Sequence, residues 1–184
     1  GLCHFKASPP SRWADLGTGS GAIAVSLARA WPTVPGHGVD LSPDALRLAE
    51  RNLQRCAPHH NCSLHLGSWW TPLKSWLGSL DLVISNPPYI PSSVVDGLEA
   101  VVREHEPHLA LSGGEDGLDA IRAVVDGASK GLSPGGWLLL EHHHDQSGLV
   151  IQLMRDKGLV EVSAAADLEG TLRFAFARKP FATT

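Results

Sequence analysis

No apolar run in this 184-residue chain approaches the roughly 18 residues that a membrane-spanning helix requires. The first residues also lack the pattern of a secretory leader. Basic charge is not in excess either: 15 Lys and Arg stand against 19 Asp and Glu, a formal net charge of −4. That excludes a polyanion-binding tail and a basic membrane-surface helix, although a local basic patch would still be compatible with it. Cysteine is scarce. Cys3, Cys56 and Cys62 are odd in number and scattered, which fits a reduced, cytoplasmic protein better than a disulfide framework. Internal repeats and long low-complexity tracts are absent too. What is present, 43% hydrophobic and 18% charged residues, is ordinary for one globular domain with a substantial core.

Apolar and turn-forming segments alternate along the chain. "RWADL" (12–16) reads as a strand entering the glycine-rich "GTGSG", and "AIAVSLARAW" (22–31) as a helix stopped by Pro32. "HGVDL" (37–41) is a second strand. Ser42 is placed to cap a helix over "PDALRLAERNLQRC", with Pro43 at its first position. "CSLHL" (62–66) and "LDLVIS" (80–85) follow as strands, then a Pro- and Gly-bearing excursion and a helix over 118–132. "GWLLLEH" (136–142) is a fifth strand, with a helix near 146–157. The last two strands, 159–165 and 171–179, are separated only by a loop. Strands alternating with helices imply an α/β, doubly wound, mostly parallel sheet, and the final pair implies an antiparallel hairpin at one edge. The segment 1–11 reads as an extension or a truncated linker, and 12–184 as the domain.

In "DLGTGSGAIA" (15–24), Gly17, Gly19 and Gly21 follow a strand and open a helix, where glycine lets a ligand approach the backbone. Asp40 ends the next strand, at the separation expected of a carboxylate that grips ribose hydroxyls. A loose dinucleotide fingerprint is satisfied as well, so the loop by itself indicates a nucleoside ligand and goes no further.

"SNPPYIP" (85–91) is more specific. Two prolines cannot extend a strand, since neither supplies an N–H. The Asn86 side-chain oxygen and the Pro87 carbonyl are both acceptors, which is what a planar –NH2 group needs if both its hydrogens are to be held. Tyr89 supplies a face or edge for a flat amide or base. Such a turn orients a weakly nucleophilic nitrogen toward an electrophile, and the electrophile implied is the methyl of S-adenosylmethionine.

Taken together, "DLGTGSGAIA", "GVDLSPDAL" and "SNPPYI" resemble motifs of the class I amino-methyltransferases. "HEPHLALSGGEDGLDAIR" (105–122) and "WLLLEH" (137–142) narrow the resemblance to the release factor glutamine methyltransferases, the PrmC/HemK family. It runs from about residue 12 to the end. The resemblance implies a Rossmann-like catalytic domain that uses S-adenosyl-L-methionine. Its target would be the glutamine of the Gly-Gly-Gln loop of peptide chain release factors, methylated on the side-chain nitrogen. Asp15, Gly17, Thr18, Gly19, Ser20 and Gly21 would hold the methionine end of the cofactor. Asp40 would hold its ribose, Trp69 would flank adenine with Ser68 in hydrogen-bonding reach of it, and Leu41 and Asn86 would complete the cofactor site. Asn86, Pro87, Pro88 and Tyr89 would hold the substrate glutamine, with Asn86, Pro87 and Tyr89 as the catalytic group.

Three departures from the family pattern stand out. Ser68 replaces an acidic residue, His143 and His144 follow Glu141-His142 where glycine is usual, and the family's amino-terminal helical domain is absent. The cluster "EHHHDQ" (141–146) and the group Cys56, His59, His60 and Cys62 match no trusted ligand spacing, so no metal is expected. Trp70 and Trp76 read as core or pocket wall. The alternative reading is an adenine-N6 methyltransferase of DNA or RNA, because the same turn can hold an exocyclic base amine. Such an enzyme calls for a basic groove or a target-recognition module, so a nucleic-acid partner is not expected here. A domain that binds cofactor without turnover is a third reading. No membrane partner is expected.

Overall fold

The structure is a computed structural model that describes residues 8–95 and 113–182. The "HEPHLALS" part of the motif at 105–122 lies outside them. In chain order the elements are β1 (Trp13–Leu16), α1 (Ala22–Ala30), β2 (Gly36–Asp40), α2 (Pro43–Cys56), β3 (Cys62–Leu66), β4 (Leu80–Ser85) and a helical turn α3 (Ser92–Val95). Then come α4 (Asp119–Gly131), β5 (Leu132–Glu141), α5 (Ser147–Asp156), β6 (Val160–Ala166) and β7 (Leu172–Arg178).

The seven strands form one sheet in the order β3-β2-β1-β4-β5-β7-β6. β1 to β5 pair in parallel, and β7 runs antiparallel to both β5 and β6. The expected terminal hairpin is therefore present, with β7 as its inner strand. Strand order reverses between β1 and β4, and in such sheets ligands bind outside the carboxyl ends at that switch point. The register brings those ends level: Leu16 sits opposite Val39 and Ser85, Asp40 opposite Leu66, and Ser85 opposite Leu140.

The central strands are apolar on both faces, as a sheet covered on both sides demands. Trp13, Leu82 and Trp137 face α1 and α2, packing with Leu27 and Leu53. Ala14, Leu16, Val83 and Leu138 face α4 and α5, packing with Ile121, Val124, Val150 and Met154. Trp13 is fully buried, and burial of so large a side chain contributes about 3 kcal/mol. Gly36 makes room for it: a Cβ there would overlap the Trp13 ring. α2 begins as its sequence indicates. The Ser42 hydroxyl accepts the Ala45 N–H at 3.3 Å, and Pro43 follows in the first turn.

Two local features differ from the sequence reading. A 3-10 helix covers Thr71–Trp76, with Pro72 in its first turn. It follows the docking of Trp70, whose indole N–H donates to the Val124 carbonyl at 3.0 Å. The Trp70 ring lies where Cβ atoms on Gly127 and Gly131 would stand, so helical glycines are used to seat it. β5 also starts earlier than expected, at Leu132. Its register with β4 shifts between the Leu80–Leu132 and Leu82–Trp137 pairs, and Gly135 takes a positive φ of 78°. A bulge of this kind hides a strand from a pattern reading, because alternation breaks across it.

Candidate active site

The crevice begins where β1 ends. Gly17, Gly19 and Gly21 all have positive φ, at 73°, 55° and 80°, a region that side chains other than glycine's rarely occupy. The Gly17 and Thr18 N–H groups both donate to the Val39 carbonyl, at 2.8 and 2.9 Å, and Gly21 N–H donates to Thr18 O at 2.8 Å. Gly21 also lets α2 approach, since a Cβ there would stand 2.9 Å from that of Ala49. Nothing lies within 4 Å of a Cβ built on Gly19, so the tip of the loop faces open space.

Two carboxylates hold this loop. Asp40 accepts the Gly19 N–H at 2.8 Å on Oδ2 and the Ser42 N–H at 2.9 Å on Oδ1. It therefore fastens the loop to the start of α2 while keeping a further lone pair on each oxygen. Asp15 is fully buried. Its Oδ2 accepts the Thr18 hydroxyl at 2.7 Å and the Ala24 N–H at 3.1 Å, whereas Oδ1 has no partner. Burial pushes its carboxyl up to about 6, against the lowering effect of those two hydrogen bonds. A buried carboxylate oxygen without a donor costs about 1–3 kcal/mol or more, and here it sits beneath the glycine loop.

The second half of the crevice starts at Ser85, whose hydroxyl donates to the Leu16 carbonyl at 2.6 Å and locks the end of β4 to the end of β1. Beyond it Asn86 is exposed and Pro87 is buried, with Pro88 and Tyr89 half-buried. Among the described residues neither the Asn86 side chain nor the Pro87 carbonyl is engaged in a hydrogen bond. The Tyr89 hydroxyl donates to Glu141 Oε1 at 3.3 Å. Burial, then the Glu141 carboxylate, raises the phenol above its usual range. The structure thus brings Gly17, Asp40, Asn86 and Tyr89 to one edge of the sheet.

The remaining expected residues fall around this core. Trp69 is held at a positive φ of 46°, strained for a bulky residue, and its ring lies 3.2 Å from where a Gly17 Cβ would stand. It walls the loop. Leu41 is exposed, at 60%, and Ser20 and Ser68 are exposed as well. The histidines following β5 diverge. His142 is buried and its Nδ1 pairs with the His143 carbonyl at 2.7 Å, while His143 Nδ1 pairs with Asp145 at 2.6 Å. Among the described residues no group of three His, Cys, Asp or Glu is arranged to hold a metal ion.

Sequence reasoning missed Glu141, the acceptor for Tyr89, and Gln146, which binds the turn from behind. Glu141 stood in the quoted "LLLEH" without a role. Gln146 gave no signal at all, since a glutamine before a helix reads as solvated surface.

Comparison with known proteins places the chain in a family. The model of the methyltransferase small domain matches residues 2–115. The chain is similar to the release factor glutamine methyltransferase of Prochlorococcus marinus, with 58% identity over 169 residues, covering 92% of this chain and 58% of that protein. It is also similar to those of Thermosynechococcus vestitus (44% identity, 91% of this chain, 58% of that protein) and Synechocystis (40% identity, 95% of this chain, 60% of that protein). The chain thus spans 58–60% of the length of these curated relatives. Among solved structures, a methyltransferase from Pyrococcus furiosus shares the fold, with a TM-score of 0.68 at 19% identity over 94% of this chain and 76% of that one. The apo form of the S-adenosylmethionine-dependent methyltransferase SibL does too, with a TM-score of 0.64 at 16% identity over 97% of this chain and 53% of that one. On its sequence, and with a sheet of the matching kind, the chain belongs to the methyltransferase small domain family.

Proposed function

We propose that this chain transfers a methyl group from S-adenosyl-L-methionine to the side-chain amide nitrogen of the glutamine in the Gly-Gly-Gln loop of peptide chain release factors, in the cytoplasm. The observation that carries this reading is the pair of unengaged, uncharged acceptors, Asn86 Oδ1 and the Pro87 carbonyl, on the same turn as Tyr89, whose hydroxyl Glu141 holds. The names of the similar relatives support the choice of substrate.

The residues of the glycine loop fit the cofactor. Asp15 Oδ1 is a buried acceptor with no donor, suited to an ammonium group. The tip at Gly19 is open. Asp40 keeps lone pairs for a ribose diol. The exposed Leu41 and the Trp69 ring offer apolar surface for adenine. When bound, S-adenosylmethionine supplies an electrophilic methyl on a sulfonium.

The chain's own contribution is orientation. An amide nitrogen's lone pair is delocalised into its carbonyl, so the nitrogen attacks only when held close to the methyl and in line with it. Asn86 and Pro87 would each accept a hydrogen bond from one amide N–H, Tyr89 would restrict the rotation of the amide plane, and the methylated nitrogen would release its surplus proton to water. Positioning of this kind can supply roughly 7–11 kcal/mol of a barrier. Because both acceptors are neutral, no charge is desolvated when a neutral amide docks.

The test is mass spectrometry of a release factor, and separately of a Gly-Gly-Gln peptide, incubated with the chain and cofactor. One added methyl on the glutamine is expected. Methyl found on adenine of DNA or RNA instead would keep the turn and replace the substrate. Cofactor binding without transfer to any of these would leave a binding domain.

A further inference from the structure

Pro87 and Pro88 have no N–H groups, so the turn that carries Asn86 cannot fasten itself through those residues. It is fastened from outside, by Gln146. This side chain is 6% exposed and lies at the entry to α5. Its Nε2 donates to the Tyr89 carbonyl at 3.1 Å and to the Gly117 carbonyl at 3.3 Å. Its Oε1 accepts the His143 N–H at 3.0 Å. One buried amide thereby joins the turn after β4, the glycine-rich segment before α4 and the loop after β5.

The segment 113–117 is shaped around this junction. Gly117 has a φ of +77°, and a Cβ there would collide with the Tyr89 carbonyl and stand 2.7 Å from Gln146 Nε2. Gly113 N–H donates to the Ile90 carbonyl and Ser92 N–H donates to the Gly114 carbonyl, each at 2.8 Å. The far end of Tyr89 is held by Glu141, and its ring lies 6.2 Å from that of His143. Backbone, ring and hydroxyl of Tyr89 are thus all tied to one small set of neighbours. With both Nε2 hydrogens and Oε1 used, Gln146 has satisfied its main bonding capacity, as a buried amide should.

We propose that Gln146 is the positioning residue of the acceptor turn: it sets where Asn86 and Tyr89 stand, without itself touching substrate. This rests on the reading that the turn holds a glutamine amide. Gln146→Met keeps the volume and removes all three bonds. Gln146→Glu keeps an acceptor for His143 but turns a carboxylate oxygen toward two carbonyls. For Gln146→Met the turnover per cofactor-binding site falls at least tenfold, with sites counted by calorimetric titration with S-adenosylhomocysteine. The dissociation constant for that ligand stays within twofold. Gln146→Glu loses at least as much. A merely structural role would lower the number of binding sites and leave turnover per site unchanged.

Tyr89 is the only tyrosine of the chain, so selective tyrosine labelling gives one ring signal by NMR that reports on the turn directly. Gln146→Met shifts or broadens that signal, and Gly117→Ala, whose Cβ would collide with the same carbonyl, does so too. An unmoved tyrosine signal in both variants overturns the proposal, as does unchanged turnover per site. If the parent chain methylates no glutamine, the functional reading fails, while the tyrosine signal still decides whether Gln146 sets the turn.

Discussion

On the β1–β2 side of the crevice the backbone is fastened to two carboxylates, Asp15 and Asp40. On the β4–β5 side the turn is fastened by a neutral amide, Gln146. The first side uses left-handed glycines to bring N–H groups to charge, and the second uses prolines to remove N–H groups altogether. The difference follows from what each side would hold. A ligand with an ammonium and ribose hydroxyls is recognised by negative acceptors. A neutral amide is better held by acceptors that carry no charge, because they bind its hydrogens without a desolvated ion on either partner. The β1–β4 ladder keeps the two sides in register, and the Ser85 hydroxyl, bonded to the Leu16 carbonyl, adds a side-chain link at its carboxyl end.

The comparison breaks most visibly at Asn86. Replacing it by alanine removes one acceptor on the turn and touches nothing on the glycine loop. Methyl transfer should fall by about 10²-fold or more, with S-adenosylhomocysteine affinity largely intact in calorimetry. Asn86→Asp keeps an acceptor but adds charge, and should retain more activity than alanine. If Asn86→Ala transfers methyl as fast as the parent, the two-sided division of labour is wrong.

The opposite cut is Asp40→Ala. It removes charge-assisted bonds to Gly19 and Ser42 as well as those expected to a ribose, so the loop loosens along with the ligand contact. Cofactor affinity should weaken by about 1.5–3 kcal/mol, read by calorimetry. NAD binding tightly while S-adenosylhomocysteine fails to bind would reassign the loop as a dinucleotide site.

How much of this was legible in the sequence differs between the same two sides. The glycine spacing, Asp40 at a strand end and the Asn-Pro-Pro-Tyr turn are local signals, each written within a few consecutive residues, and the structure places them together. Alternation of strands and helices implies a mostly parallel sheet with an antiparallel pair at one edge, whereas the order of its strands is seen only in the structure. What could not be read is what crosses the sheet. The bond from Gln146 to Tyr89 spans 57 positions and that from Tyr89 to Glu141 spans 52, and neither has a local pattern. The bond by which Asp40 ties down Gly19 is hidden for the same reason: a ligand-binding residue and a loop-binding one look alike in sequence. Trp70 shows the limit on the structural side, because Gly127 and Gly131 make sense in a helix only once its ring is seen against them.

The smallest predicted effect is a near-cancellation in pH, and it tests the buried carboxylate of the cofactor side. His37 on β2 is buried, with Nδ1 paired to His65 Nε2 at 3.0 Å and the Trp76 ring 4.2 Å away. Burial, then the charges of His65 and Arg12, lower it to about 4. Between its unfolded value near 6.5 and 4 the unfolded chain binds more protons at this site, so stability is lost as pH falls. His65, also lowered by burial, acts in the same direction. Asp15 is raised from 3.8 to about 6, so between 6 and 3.8 the folded chain binds more protons and stability is gained as pH falls. Each full shift amounts to about 3 kcal/mol, and the two oppose over most of their range. Asp81, which against the opposing effect of burial is lowered by its bonds to Ser11 and Ser133, adds to the loss from the lower end of that window downward. Urea midpoints of the parent should therefore change little between pH 6 and 4. Asp15→Asn should expose the histidine limb, with stability falling by about 3 kcal/mol over the same interval, and His37→Gln should expose the opposite limb. An ammonium docked on Asp15 favours its ionised form, so affinity for S-adenosylhomocysteine should weaken as pH drops through about 6 in the parent and lose that dependence in Asp15→Asn. A pH-independent affinity in the parent would remove Asp15 from the cofactor site and leave it as a strut of the glycine loop.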